Sequence, residues 1–449
     1  MLHHIYVSLY ALSILAFFPW GATRGDIWTQ PKVYVLVAIA LTNLAVLLFG
    51  HQASTMPPPP PRWRVYVVLW VLFLGAGYLS VSLSPFPDRA FDGQEEMATG
   101  WTFWAIVAFT SLSNGGVLRA YPHLLRSQVQ GLLIGGGLQA IACIPQLINW
   151  KIDYTATTGQ VMTGYEDNIL VSNISKDLQP IGFYSHRGHS SIMLAELSLL
   201  AIVARRWNWI SARWFWPLIS IMGAIVLLSR TRATLLAGLL GLGLMLGWRY
   251  RRLLAIGAVT IILIIGLVTI NRPIEGIPIV SQITSDRVYL WKVAAYGIRQ
   301  RPIWGWGFDG FGLAYPWSNS ETWKPEVTDI GVFWFDYREP DGTMKRLEMP
   351  SNKAHNQILD TLLSVGIAGS IPFFSLIAIG VYGLARSPAA MFTPLACVYL
   401  AFVLLWFDCA QYGYWFWWVL SLEFWPGLQT TFGSLRLPSF HRSANPGTE

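Results

Sequence analysis

Three basic residues stand out from a chain that is otherwise mostly apolar. Arg232 lies between two apolar runs, Arg287 opens an amphipathic stretch, and His355 precedes a further apolar run. An arginine keeps its charge at any relevant pH and offers a planar fork of donors that suits diphosphate. A histidine can accept or donate a proton near neutral pH. Together these residues predict group transfer on a lipid-linked phosphate substrate, although each alone also fits an interfacial or helix-capping role.

Further cations and a pair of histidines accompany these residues. Arg230 is the alternative to Arg232, Arg187 precedes an apolar run, and Arg24 lies in a short polar loop. We expect all three to contribute to the same anion site. His186 and His189 are close in sequence, but no nearby carboxylate or third ligand accompanies them, so we predict no metal.

The composition indicates a membrane protein. Of 449 residues, 53% are hydrophobic and 12% are charged, about half the charge of a soluble protein. The apolar residues fall in runs of about 17–25, the length of a helix that crosses a bilayer. The net charge of +7 does not indicate a nucleic-acid partner, because the arginines lie in short loops between these runs.

Length and hydropathy predict an all-α polytopic fold with about twelve transmembrane helices. The distribution of Lys and Arg over the short loops places both termini inside and the segments 150–188 and 271–357 outside. The predicted helices lie near residues 4–20, 33–50, 65–83, 100–115, 128–148, 189–204, 214–229, 233–248, 253–270, 358–383, 391–407 and 412–432.

The chain is therefore predicted to divide into four parts. Helices one to nine occupy 1–270, a large periplasmic loop occupies 271–357, helices ten to twelve occupy 358–433, and a cytoplasmic tail follows at 434–449. Within the loop, apolar residues at helical spacing predict a surface helix over 286–299. The polar insertion at 316–352 contains turn signals, so we expect a small hairpin there and interpret it as a lid or an acceptor-binding flap.

The order of four motifs resembles the O-antigen ligase and polymerase superfamily. The first motif of that family, Ser-Arg-x-x-Leu-Leu, is matched at 231–236 with Thr in place of Ser. The others are Asp-Arg-x-x-x-Trp at 286–291, Arg-Pro-x-x-Gly-x-Gly at 301–307, and His355-Asn356 before Gly366 and Gly369. The ordered set, with a large outer loop between the ninth and tenth helices, carries the resemblance.

That resemblance implies a GT-C-like glycosyltransferase of the bacterial inner membrane that requires no metal and no other cofactor. It would take a glycan from undecaprenyl diphosphate at the periplasmic face and transfer it with inversion. Arg232 and Arg287 would hold the diphosphate as leaving group, and His355 would activate or orient the acceptor hydroxyl. The residues expected to assist in binding the diphosphate are Arg230, Arg187, Arg24 and Asn356.

The acceptor stays open at this point. A ligase of lipopolysaccharide biosynthesis, with lipid A–core as acceptor, is favoured over a repeat-unit polymerase and a protein O-oligosaccharyltransferase of the same fold. A bicarbonate-type transporter is the alternative from another class, but the sequence shows no paired broken helices in two repeated halves. Two arginines stand in Ser-Arg-Thr-Arg (229–232), where the family motif has one, so both stay candidates.

Overall fold

The structure is a computed structural model that describes residues 1–50, 58–147, 180–246, 287–320 and 322–427. In these ranges five helices are long and apolar enough to cross a membrane, and four shorter apolar helices accompany them. This indicates a membrane protein, because a lipid-exposed chain must satisfy its backbone hydrogen bonds within helices. The predicted span 253–270 and the tail 434–449 lie outside the described residues, so the count of about twelve stays a prediction.

The N-terminal half consists of helices that pack side by side. Helix α1 packs along α6, and α2 packs along α5. A five-residue π-helical segment, Gly25–Thr29, leads directly into α2. The helices are α1 Leu2–Leu15, α2 Gln30–Phe49, α3 Pro61–Ser82, the short α4 Pro87–Asp92, α5 Trp101–Ala120 and α6 Leu124–Leu147.

The second half begins with three consecutive helices, α7 Arg187–Arg206, α8 Ala212–Leu228 and α9 Arg232–Leu246. The arginine-rich interruption is therefore a tight turn between two helices, in which Arg230 has a left-handed backbone with a φ of 54°. The remaining helices are α10 Arg287–Gln300, α11 Gly310–Ser318, α12 Gln357–Arg386, α13 Thr393–Leu404 and α14 Gly413–Ser421.

Two of the predicted helices have informative outcomes. The helix expected over 286–299 is confirmed by α10, Arg287–Gln300, and its place at the membrane surface stays a prediction. The span expected over 412–432 is wrong in its extent, because α14 ends at Ser421 and a single 3-10 turn, Leu422–Phe424, follows it. Pro426 then lacks the N–H that a helix needs, and Gly427 has a φ of 86°.

The insertion at 316–352 contains a three-stranded antiparallel sheet in the order β1-β2-β3, one strand more than the expected hairpin. The strands are β1 Glu326–Ile330, β2 Trp334–Arg338 and β3 Met344–Glu348. Phe335 on β2 is fully buried, whereas every residue of β3 is exposed. Arg346 binds Asp336 through both carboxylate oxygens, at 2.7 and 2.9 Å, and joins β3 to β2.

The Arg-Pro-x-x-Gly-x-Gly motif has a structural role beside a kink in α12. Gly366 has a φ of 58° and breaks the helix, which leaves neighbouring backbone groups without helical partners. The turn segment 302–307 supplies the partners, and Gly305, with a φ of 74°, has no room for a Cβ. The four bonds are Trp306 N–H to Leu363 O (2.7 Å), Gly307 N–H to Ser364 O (3.0 Å), Ile367 N–H to Pro302 O (2.9 Å) and Ala368 N–H to Ile303 O (3.1 Å).

Candidate functional site

Several helix ends meet at one end of the bundle. The first turns of α7 and α9 are joined by a 2.8 Å hydrogen bond between the hydroxyls of Ser191 and Thr234. The side chain of Asn356, at the start of α12, donates to the carbonyl oxygen of Leu404, at the end of α13. This arrangement brings the chain segments of Arg187, Arg232 and His355 to the same end of the fold.

The indole of Trp406, just after α13, lies at the centre of this region. The ring of His355 meets it edge-on at 5.1 Å, and the ring of His186 lies at 5.5 Å and 31°. The guanidinium carbon of Arg287 lies 5.5 Å from the centre of the same ring. Phe407 stacks on Trp406 and contacts His355 at 4.8 Å. We call these five residues the Trp406 cluster.

His355 is held in an uncommon backbone conformation. Its φ is 55°, a left-handed value that a non-glycine residue adopts only when its surroundings enforce it. On its N-terminal side, the N–H of Ala354 donates to Asp360 Oδ1 at 2.8 Å, and the Ala354 carbonyl accepts from Trp291 Nε1 at 3.0 Å. These bonds fix the imidazole at the start of α12, as the sequence predicts.

Asn356 caps α12. Its side-chain oxygen accepts from the N–H groups of Ile358 and Leu359, at 3.0 and 3.2 Å. Such a cap satisfies donors that the first helical turn leaves unpaired. The structure thus gives Asn356 a positioning role next to His355, and its expected binding of diphosphate stays a prediction.

The electrostatic surroundings oppose a positive charge on His355. Burial, reinforced by the charge of Arg287 and by His186, lowers the pKa of His355 to about 3. The imidazole is therefore neutral at physiological pH. Its Nδ1 atom is buried, and within the described ranges of the chain it has no hydrogen-bond partner.

His186 is a site residue that the sequence reasoning missed. Its Nδ1 accepts the N–H of Gly188 at 2.9 Å and caps α7. Burial, followed by the charges of Arg187 and Arg24, lowers the pKa of His186 to about 4. The charges of both arginines therefore act on His186, and their binding of an anion stays a prediction. The available signal was the position of His186 next to Arg187 and directly ahead of an apolar run, but the sequence reasoning considered only metal binding.

The remaining predicted cations differ in how the structure places them. Arg24 forms an ion pair with Glu96 at 3.3 Å, so its charge is partly balanced before any ligand binds. Arg232 opens α9 beside α7, whereas Arg230 lies in the preceding turn, and both side chains are exposed. Binding of an anion by Arg230 or Arg232 stays a prediction.

A second group of charges, which the sequence did not reveal, lies beneath the His355 loop. Lys353 Nζ is 2.5 Å from Asp309 Oδ1 and 2.8 Å from the hydroxyl of Thr99. Asp360 and Asp408 line the same cavity of about 30 Å³. Burial lowers the pKa of Lys353, but the charges of Asp309, Asp360 and Asp408 outweigh burial, and the pKa is raised above its ordinary value. We call Lys353 and the three aspartates the buried ionic cluster.

Comparison with known protein families finds a match over the middle of the chain. The family model described as Wzy_C, O-Antigen ligase, matches residues 217–374. This stretch includes Arg232, Arg287 and His355, whereas Arg187 and Arg24 precede it. No curated protein matches the chain.

Proposed function

We propose, from the premise that residues 217–374 place the chain in the O-antigen ligase superfamily, that it is a membrane glycosyltransferase. It moves a glycan from undecaprenyl diphosphate to an acceptor hydroxyl at the periplasmic face of the inner membrane. The observation that carries the proposal is the convergence of Arg287 and His355 on Trp406.

The charge of the site suits a diphosphate leaving group. As the bond between the anomeric carbon and the phosphate oxygen breaks, negative charge develops on the diphosphate. Arg287 beside Trp406, with Arg187 and Arg24 near His186, supplies positive charge where that anion would lie. Arg232 on the first turn of α9 is the fourth cation in this proposal. Fixed cations of this kind stabilise the charge that appears in the transition state without further reorganisation.

His355 is proposed as the base that accepts the acceptor proton. In the free enzyme its pKa is lowered to about 3, partly by Arg287 and His186. A bound diphosphate offsets these positive charges, so it raises the pKa of His355 and makes the imidazole a better base. The acceptor oxygen then attacks the anomeric carbon, its proton passes to His355, and the lipid diphosphate leaves with inversion.

The acceptor is proposed to approach from the side of the three-stranded sheet. That sheet follows α11 and returns directly to the loop of Lys353 and His355. Its exposed strand β3 and the charged pairs between its strands leave polar groups at the surface, which suits a glycan acceptor such as lipid A–core. A ligase is therefore the first candidate, and a repeat-unit polymerase or a protein O-oligosaccharyltransferase would use the same site. A transporter is less favoured, because it has no need of this arrangement of base and arginines.

The test measures glycan transfer by the purified protein in liposomes that contain undecaprenyl-diphosphate-linked glycan and lipid A–core. A single glycan on lipid A–core is expected, whereas a ladder of longer lipid-linked chains would identify a polymerase. Arg287→Ala should lower kcat/KM by about 10²–10³-fold, as for the loss of one charge-stabilising donor. Arg299→Ala on the last turn of α10, where the side chain is exposed, is the matched control. Equal rates for the two variants would contradict the proposal.

A further inference from the structure

We infer that His186 is a further substrate-binding residue, whose Nε2–H group donates a hydrogen bond to a phosphoryl oxygen of the lipid-linked donor. The inference rests on the proposed function and deepens it, because it assigns the anion site a neutral donor beside its arginines.

The hydrogen bond at the cap determines the tautomer of His186. The backbone N–H of Gly188 donates to Nδ1 at 2.9 Å, so Nδ1 is the acceptor and carries no proton. The proton of the neutral ring is then on Nε2. Because burial and the charges of Arg187 and Arg24 oppose protonation of the ring, His186 stays a neutral donor at physiological pH.

The ring is held in place by its neighbours. Its face lies at 31° to the indole of Trp406, with 5.5 Å between the ring centres, and His189 lies 5.6 Å away on its own helix. Gly188 permits this packing, since a Cβ there would lie 3.2 Å from Trp406 Cζ2. The imidazole therefore has a defined position relative to Trp406, and through it to Arg287 and His355.

The segment that precedes His186 is anchored by buried polar side chains. Gln411 accepts from the backbone N–H of Ser185 at 3.1 Å and donates to its hydroxyl at 2.7 Å. Lys32 donates to the carbonyl oxygen of Phe183 at 2.7 Å, and Gln139 accepts the N–H of the same residue at 2.8 Å. These contacts position His186 before any ligand binds, which lowers the entropy cost of binding.

The charges around His186 favour an anionic ligand. The charges of Arg187 and Arg24 oppose protonation of its ring, and Arg287 and His355 share the Trp406 cluster with it. An N–H donor among several cations and with no carboxylate in that cluster suits phosphoryl oxygens, which only accept hydrogen bonds. Glu96, which lies 3.3 Å from Arg24, is paired with that arginine and not with His186.

Two substitutions separate the cap from the donor. In His186→Asn the amide oxygen can replace Nδ1 at the cap, because asparagine is among the best N-cap residues, but the Nε2–H donor is lost. In His186→Gln the longer side chain places an N–H group near the position of Nε2 and is a poorer cap. His123→Asn, at an exposed histidine near the start of α6, is the matched control.

The experiment measures the Kd of inorganic pyrophosphate for the detergent-solubilised full chain and the KM for the lipid-linked donor. We expect His186→Asn to fold with wild-type thermal stability but to weaken pyrophosphate binding about tenfold, since one charge-assisted hydrogen bond is lost. His186→Gln should bind pyrophosphate more tightly than His186→Asn does, although its thermal stability should be lower. The KM for the acceptor should not change.

The outcomes are distinct from those that test the proposed function. If wild-type protein transfers glycan and His186→Asn binds pyrophosphate as tightly as His123→Asn does, the inference is wrong. A His186→Asn protein that does not fold also contradicts it, because the assigned tautomer predicts a working cap. If the wild-type protein transfers no glycan to any acceptor, the proposed function fails, whatever the binding measurements show.

Discussion

The buried ionic cluster offers a prediction whose size follows from the structure. Lys353 and Asp309 are 5% and 3% exposed, and their charged atoms are 2.5 Å apart. Lys353→Met removes the ammonium but keeps most of the side-chain volume. It leaves three buried carboxylates, those of Asp309, Asp360 and Asp408, without the cation between them. Removal of one partner from a buried pair costs about 3–5 kcal/mol, and we expect Lys353→Met to destabilise the fold by this amount.

A second substitution shows whether the cost arises from the pair itself. Asp309 has a left-handed backbone with a φ of 57° and accepts from the backbone N–H of Gln94 and from Thr99. Asparagine tolerates that conformation, and its amide oxygen can accept from Gln94 while its NH2 group donates to the Thr99 hydroxyl, so Asp309→Asn removes the charge and one acceptor. The double variant with both Lys353→Met and Asp309→Asn should be less destabilised than the sum of the two single variants. The difference is a coupling free energy of about 1–3 kcal/mol.

The loss of stability caused by Lys353→Met should depend on pH in a defined direction. Burial raises the pKa of Asp408 to about 6, and loss of Lys353 raises it further because the nearby positive charge is gone. A carboxyl whose folded pKa is raised stabilises the fold at low pH, and that contribution is lost as the pH rises through the folded pKa. Lys353→Met should therefore be more destabilising at pH 8 than at pH 5.

The assay is the free energy of unfolding in mixed detergent micelles for wild type, both single variants and the double variant. Lys292→Met, at an exposed lysine on α10, serves as the control for the loss of a positive charge. If Lys353→Met has a free energy of unfolding within about 1 kcal/mol of that of Lys292→Met, or if the effects of Lys353→Met and Asp309→Asn are additive in the double variant, the buried pair does not stabilise the fold as proposed.

Three further predictions concern single residues. Asp408→Asn keeps the acceptor for Tyr399 but cannot ionise. Because the pKa of Asp408 is raised from 3.8 to about 6, the free energy of unfolding of Asp408→Asn should rise by about 3 kcal/mol relative to that of wild type between pH 4 and well above pH 6. Parallel curves of unfolding free energy against pH would contradict this. Gly305→Ala should lower stability by about 1–3 kcal/mol in thermal unfolding, because its φ is 74° and the new Cβ meets Leu363 O at 2.6 Å, whereas Gly75→Ala, with open space around it, should not. For His355, the acid limb of kcat should lie at higher pH than that of kcat/KM, because a bound diphosphate raises its pKa above the value of about 3 in the free enzyme; coincident limbs would contradict the proposed offset of charge.

The sequence predicted the features that depend on local pattern. The amphipathic spacing before Arg301 located α10, and a histidine-asparagine pair before an apolar run predicted the start of α12. The sequence predicts separate spans at 214–229 and 233–248, and the structure has two helices there, α8 and α9, with the left-handed Arg230 in the turn between them. These outcomes follow from short-range physics, namely helix periodicity, capping and turn geometry.

The features that the sequence did not reveal depend on contacts between distant segments. Trp406 is one of 23 tryptophans, and a tryptophan near the end of a predicted span is common as an interfacial anchor, so nothing local marked Trp406 as the centre of a site. Lys353 binds Asp309 and Thr99, which are 44 and 254 positions away in the chain. The turn segment 302–307 exchanges backbone hydrogen bonds with α12 because the kink at Gly366 leaves groups of that helix without helical partners.

The proposed role of His355 as the base that acts on the acceptor within the Trp406 cluster can be tested by a single-turnover rate. Glycan transfer in liposomes is measured for His355→Ala with donor and acceptor at saturating concentration. We expect a rate lower than that of wild type by about 10²–10⁴-fold, the range for loss of a general base, with donor binding retained. Transfer by His355→Ala at the wild-type rate would show that His355 is not that base.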